Sequence, residues 1–151
     1  MRTFLSTLGR ATNLMEQVVE ATIIETGLSA TELLVMQVAL EEDEPSTAAI
    51  LRATGLRAST LSSLLTRLEG RGYIRRRRGG RDGRSRLIDM TLPGEQATRI
   101  ATSLQLEIER RLGEPRRRLD DLRILEAVAR EISLLTPPLV DPVDGLPIAT
   151  T

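Results

Sequence analysis

Residues 73–94 read YIRRRRGGRDGRSRLIDMTLPG. Seven of the chain's 21 basic side chains fall in this stretch, although the chain of 151 residues has a formal net charge of +0. Its pattern has period two: residues 73–78 read as a strand, residues 79–83 as a turn and residues 85–92 as a returning strand. Ile88, Met90 and Leu92 then share one face, and the polar side of the hairpin is almost wholly arginine.

The segment before the hairpin has period 3.6 instead. Leu61, Leu64, Leu65 and Leu68 stand at i, i+3, i+4 and i+7, an apolar stripe on a helix that begins near Ala58 and closes at Gly70 and Gly72. Its opposite face carries Ser59, Thr60, Ser62, Ser63, Thr66 and Arg67. A solvated helix face more often holds Glu and Lys in pairing register, so this one is cleared for close approach. Small hydroxyls reach base edges or phosphate oxygens without holding a groove at a distance.

Two further helices precede it. Ser29-Ala30-Thr31-Glu32 has capping-box spacing, which predicts a helix over 30–42 burying Leu33, Leu34, Met36, Val38 and Leu40. Pro45 ends the acidic run that follows. Ser46 or Thr47 then caps a short helix to about Thr54, with Ile50 and Leu51 inward and Gly55 as its stop. Two short helices, a polar-faced third helix and a basic hairpin are the parts of a winged helix-turn-helix, with the hairpin as wing.

Charge is polarised along the chain. Residues 1–50 sum to −6 and residues 57–86 to +8. A concentrated basic patch in a neutral protein is the electrostatic footprint expected for a polyanion, although charge alone leaves a coincidental run open. All 21 cations are arginine, whose planar fork suits phosphate and guanine edges. With no cysteine and no histidine, disulfides, thiol redox chemistry, an imidazole base and the commonest zinc ligand are excluded. The remaining Ser, Asp, Glu, Tyr and Arg show no spacing that groups them into an enzyme site, so neither catalysis nor a metal or cofactor is expected. No apolar run approaches the ~20 residues of a membrane span, nor is there a secretion signal, and the expected compartment is the cytoplasm.

The chain ends read as an assembly element. A helix over about 3–26 carries Phe4, Leu8, Ala11, Met15 and Val18 in one stripe, widened by Leu5, Leu14, Val19 and Ile23. After Thr91 as cap, a long helix carries Ala97, Ile100, Ala101, Leu104, Ile108 and Leu112. Pro115 interrupts it, and a last helix spaces Leu122, Leu125, Ala129 and Ile132 as a packing seam. Either these helices complete a monomer core, or they join two copies so that paired recognition helices sit ~34 Å apart on one face of DNA. Residues 137–151, with four prolines and no periodicity, read as a mobile or draped tail.

The run Asp82 to Gly94 resembles the wing signature of MarR-type transcriptional regulators, with Asp82, Arg84, Ser85, Met90, Thr91 and Gly94 at the matching positions. Residues 59–74, STLSSLLTRLEGRGYI, are similar to that family's recognition helix and its exit. Where the family usually caps this helix with Asp or Ser the chain has Arg57, which passes the cap to Ser59 or water and frees Arg57 for phosphate. The resemblance implies that Arg84 enters the minor groove with Asp82 as its orienting partner, beside Arg86 on the wing. It also implies a repressor whose DNA affinity falls when a small anionic or aromatic effector binds between the two lobes. With one Phe and one Tyr, such a pocket would be aliphatic, lined by Leu8, Met15, Leu33 and Met36. Missing cysteines argue against peroxide sensing, and missing histidines against zinc sensing.

The expected architecture is therefore mainly α with a small β-hairpin (α+β): a dimerisation helix at 1–27, a winged helix-turn-helix at 28–92, dimerisation helices at 93–136 and the tail at 137–151. The expected function is a homodimeric, sequence-specific regulator of transcription on double-stranded DNA, with no membrane partner. Ser59, Thr60, Ser63 and Arg67 would face the major groove, and Arg57 with Arg75, Arg76, Arg77 and Arg78 would meet phosphates. The alternative is a winged-helix adaptor that binds protein, because a fold does not fix a function. Duplex RNA fits less well, since its deep, narrow major groove excludes a helix.

Overall fold

The computed structural model describes residues 3–79, 85–112 and 115–135. Along the chain run helix α1 (Phe4–Ile23) with a 3-10 turn (Ile24–Thr26), α2 (Ala30–Glu41), α3 (Thr47–Thr54), α4 (Ala58–Gly70), strands β1 (Ile74–Gly79) and β2 (Ser85–Met90), α5 (Leu92–Arg111) and α6 (Pro115–Leu135). It is mainly α with one antiparallel hairpin, a winged helix, as the sequence pattern implies. Among the described residues no single helix is long and apolar enough to cross a membrane.

Local chemistry sets each boundary. The capping box forms: Ser29 Oγ accepts from the Glu32 N–H at 3.1 Å, and Glu32 Oε2 accepts from the Ser29 N–H at 3.0 Å. Ser46, the earlier of its two candidates, caps α3 by accepting from the Ala49 N–H at 3.1 Å. The helix-turn-helix corner is made at Gly55, whose φ of 67° is a left-handed conformation that a side chain would strain. Thr91 caps α5 and also donates to the Tyr73 carbonyl, so the wing's exit and the α5 start share one hydroxyl.

The core gathers around α4. Leu61, Leu64, Leu65 and Leu68 are all buried, against a cluster that includes Met36, Ile50, Ile74 and Ile88. The stripe of α2 differs from expectation: Leu34 and Leu40 are 42% and 40% exposed, while Val35 and Ala39 are buried. With ~100° per residue, Glu32, Val35, Met36 and Ala39 form the true inward row, whereas the expected set followed a partly period-two spacing.

Arg76 opposes Ile88 and Arg77 opposes Leu87 across the wing. Two further expectations fail here. Tyr73 lies outside β1, and Leu92 is the first residue of α5 instead of the end of β2, because the Thr91 cap turns the chain. Leu87 is buried on the face it shares with Arg75, Arg77 and Asp89, whereas Arg76, Arg78 and Arg86 share the face of Ile74 and Ile88, so the arginines are not confined to one side as expected. The loop before α3 meets Leu87, where Ser46 bridges to it and the Ile88 N–H donates to the Pro45 carbonyl at 2.8 Å. The expected turn lies largely outside the described residues, with Gly79 in β1. So does the tail.

The end helices are not consumed by the core of one chain. Val19 and Ile23 of α1 are buried, but Phe4 and Leu5 are 60% and 65% exposed, and Leu14, Met15 and Val18 are also exposed. Ile100 of α5, Leu112 just after it, and Leu122, Leu125 and Ile132 of α6 are exposed as well.

Gly94 is buried where α5 crosses the strand entry, and a Cβ there would overlap the Tyr73 carbonyl. Gly94→Ala should therefore lower stability by about 2 kcal/mol, because backbone overlap outweighs the gain of about 1 kcal/mol in helix propensity. Urea unfolding of the two proteins measures the difference, and an unchanged or raised midpoint would contradict the packing.

Candidate nucleic-acid interface

Because the leucine row holds α4 down, Ser59, Thr60, Ser62, Ser63, Thr66 and Arg67 are exposed together. Ser63 Oγ donates to the Ser59 carbonyl and Thr66 Oγ1 to the Ser62 carbonyl, each at 3.0 Å. With those protons turned inward, the hydroxyl oxygens offer acceptor lone pairs outward. Arg57 occupies the N-cap position, and no side chain caps the helix. Ser59 does not take over that role, since it lies one residue inside the helix, so the positive end of α4 opens beside a guanidinium.

The structure divides the expected phosphate contacts into two groups. Arg76 is clipped to Glu69 at the end of α4: its backbone N–H donates to Oε1 at 3.0 Å and its Nε to Oε2 at 2.7 Å. Arg77 Nε meets both oxygens of Asp89, at 3.0 and 2.9 Å. Both charges are thus partly neutralised within the hairpin and its root. Among the described residues, Arg57, Arg75, Arg78 and Arg86 have no carboxylate partner, and all four are exposed. Asp82 and Arg84 lie outside the described residues.

Arg67 is exposed but not isolated, because its Nε lies 3.3 Å from Glu32 Oε1. Glu32 also holds Arg71, whose Nη2 is 2.8 Å from Oε2. Arg71 further donates to the Gly27 carbonyl and lies over the Tyr73 ring, 5.1 Å from its centroid. Tyr73 in turn donates its hydroxyl to the Thr26 carbonyl at 3.1 Å. Sequence reading missed Glu32, Arg71 and Tyr73 as a group. Glu32 was legible as a cap, but partners 35 and 39 residues away in sequence leave no periodic signal.

Two cavities flank this frame. One of about 510 Å³ lies among α1, α2, α5 and α6 and is lined by Leu8, Met15, Val19, Leu33, Leu56 and Leu125, with Gln37 and Gln105 among its polar groups. Of the expected pocket residues, Leu8, Met15 and Leu33 line it. Met36 does not, because the α2 row turns it fully into the core. The second, about 830 Å³, runs between the end of α1 and the Glu32, Arg67 and Arg71 group.

A model of the MarR family matches residues 26–85. The chain is similar in fold to BpsR of Bordetella bronchiseptica, with a TM-score of 0.76, 18% identity, and coverage of 85% of this chain and 94% of that one. DNA binding by BpsR is regulated by 6-hydroxynicotinic acid. The M. tuberculosis transcriptional regulator MosR in complex with DNA aligns with a TM-score of 0.70 at 21% identity, over 85% of this chain and 98% of that one. CouR from Rhodococcus jostii RHA1, bound to p-coumaroyl-CoA, aligns with a TM-score of 0.73 at 25% identity, over 82% and 90%. No curated protein matches the chain significantly.

The clip at the wing root gives a test by pH. The Arg76 side chain, then its backbone N–H, holds the Glu69 carboxyl below the usual glutamate value. A depressed folded pKa adds stability above the unfolded value of about 4.3, and that stability is lost as pH falls through the folded value. Glu69→Gln should therefore be less stable than the parent near neutral pH and should converge with it in strong acid. Urea midpoints across the acid range report this, and a gap that stays constant with pH would remove the ionised clip.

Proposed function

We propose that this chain, a MarR-type winged helix-turn-helix regulator of transcription, grips double-stranded DNA as a homodimer and represses transcription until a small molecule releases it. The observation that carries the reading is the shared exposure of the small-hydroxyl face of α4 with four arginines that have no described carboxylate partner, Arg57, Arg75, Arg78 and Arg86. A helix face cleared of long side chains enters a major groove, and flanking guanidiniums hold the register on phosphates. Ser59, Thr60, Ser63 and Arg67 are assigned to base edges, and Arg57, Arg75 and Arg78 to phosphates. Arg76 and Arg77 contribute field more than direct contacts, given their carboxylate partners. Arg84, oriented by Asp82, and Arg86 are assigned to the wing's minor-groove contact.

Dimerisation is supported by the exposed apolar stripes of α1, α5 and α6, which exceed what a lone soluble chain leaves uncovered. Residues 1–27 and 93–136 form the pairing lobe in this reading, 28–92 the DNA-binding lobe, and the site of action is the cytoplasm. The 510 Å³ aliphatic cavity between them suits a small amphiphilic effector such as an aromatic acid. A ligand there shifts the equilibrium only by its differential affinity for the free and DNA-bound forms.

The test is a titration of the purified protein on duplex from upstream of its own gene, with unrelated duplex as competitor and salt varied. Removing two phosphate contacts per protomer, four in the dimer, in Arg75→Ala/Arg78→Ala should weaken both duplexes alike and reduce the log-log salt slope by about 3.6. An unchanged slope would take the strand arginines out of the interface. Binding with no salt dependence, or none to any duplex, would favour a protein-binding adaptor.

A further inference from the structure

Glu32 occupies a position where capping explains the residue but not its charge. At the third position of α2 either Glu or Gln completes a capping box. The Glu32 side chain is nonetheless 5% exposed and lies between two arginines, an arrangement that is unfavourable unless both charges and hydrogen bonds are matched. They are matched. Oε2 takes the Ser29 N–H and Arg71 Nη2, and Oε1 faces Arg67 Nε. One buried carboxylate thereby ties the start of α2 to two successive turns at the end of α4.

The two arginines are held differently. Arg71 is fixed on three sides, by Glu32, the Gly27 carbonyl and the Tyr73 ring, and serves the frame. Arg67 meets Glu32 through Nε, the inner edge of the guanidinium, while its side chain remains 62% exposed at the margin of the hydroxyl face. Among the described residues its terminal nitrogens have no hydrogen-bond or ion-pair partner. A guanidinium anchored by its inner edge presents its outer edge in one plane, the geometry a bidentate base or phosphate contact needs. An unanchored arginine would lose rotamer freedom on every encounter.

We propose that Glu32 is a positioning residue for DNA discrimination: it fixes the plane of Arg67 and the seat of α4, so that Arg67 distinguishes sequences instead of serving as a mobile charge. This rests on the DNA-binding reading above. It adds a specificity determinant that lies on α2, outside the recognition helix and the wing.

The experiment uses the full chain and a duplex enriched from a randomised pool by the unaltered protein, compared with a scrambled duplex of equal length. Glu32→Gln keeps a capping oxygen for the Ser29 N–H and removes the charge. It should weaken the enriched duplex about tenfold while leaving the scrambled duplex unchanged or bound more tightly, one acid having been removed, so that discrimination falls. Arg67→Gln should lose discrimination to the same extent, and the double variant should be no worse than the poorer single one. Arg67→Lys, which keeps the charge without the planar edge, should not restore it. Equal weakening of both duplexes by Glu32→Gln, or additive losses in the double variant, would reduce Glu32 to a structural tie and overturn the inference. Should Glu32→Gln fail to unfold cooperatively on heating, the exposed Arg67 pair of variants decides by the same ratio, and full discrimination by Arg67→Lys overturns it. An unaltered protein that enriches no duplex would overturn the DNA reading itself, whereas discrimination that survives in Glu32→Gln overturns only the role of Glu32.

Discussion

The burial of four leucines on one side of α4 is the constraint on which the rest of the molecule depends. Leu61, Leu64, Leu65 and Leu68 fix the rotation of the helix about its axis, because turning it by one residue would expose three of them and bury hydroxyls in their place. Once that rotation is set, the face toward solvent is determined, and the short side chains at 59, 60, 62, 63 and 66 have no other place to go. The wing is tied to the same helix. Ile74 and Ile88 pack into the same cluster, and Glu69 holds Arg76, so the basic hairpin cannot drift relative to the hydroxyl face. Function in this fold is a question of relative placement, and the leucine row supplies it.

Net neutrality takes on a different meaning once the partners are located. The acids that offset the arginines are not spread evenly. Glu32, Glu69 and Asp89 each engage specific guanidiniums at the frame and the wing root, where orientation matters. Arg57, Arg75, Arg78 and Arg86, which have no carboxylate partner among the described residues, lie beside α4 or on the wing, where a phosphate backbone would reach them. Exposed ion pairs contribute little to stability on their own. Their value here is geometric, since they decide which cations are held and which are left to a polyanion.

How much of this was legible in the sequence follows from the range of each interaction. Caps at Ser29, Ser46 and Thr91, the stop at Gly55 and the α4 stripe are local signals, written within a few residues, and the structure reproduces them. The α2 row was misread because Leu33, Leu34, Val35 and Met36 are consecutive apolar residues, and only the neighbours they meet decide which face inward. Leu92 was assigned to the strand because alternation continues through it, while the Thr91 cap that turns the chain competes with that pattern. The Glu32, Arg67, Arg71 and Tyr73 frame joins segments far apart in the chain, and a sequence carries no period for such contacts. Met36 left the expected cavity for the same reason: its direction depends on the α2 row, which the tertiary packing fixed.

α1 shows why the cavity and the exposed surfaces cannot be independent. Val19 and Ile23 enter the core, Leu8 and Met15 line the cavity, and Phe4, Leu5, Leu14 and Val18 face outward, all on one continuous helix of 20 residues. α1 contains no proline to break it, so all three sets of residues are carried by one element. The residues that line the cavity therefore share one helix with the outward stripe and the Ile23 anchor. Past that anchor the chain passes through the 3-10 turn to Gly27, whose carbonyl holds Arg71, and on to Ser29, which Glu32 caps. The cavity lining is thus continuous along the chain with the carboxylate that seats α4, so in the proposed regulator a ligand and a DNA duplex would meet two ends of one run of elements.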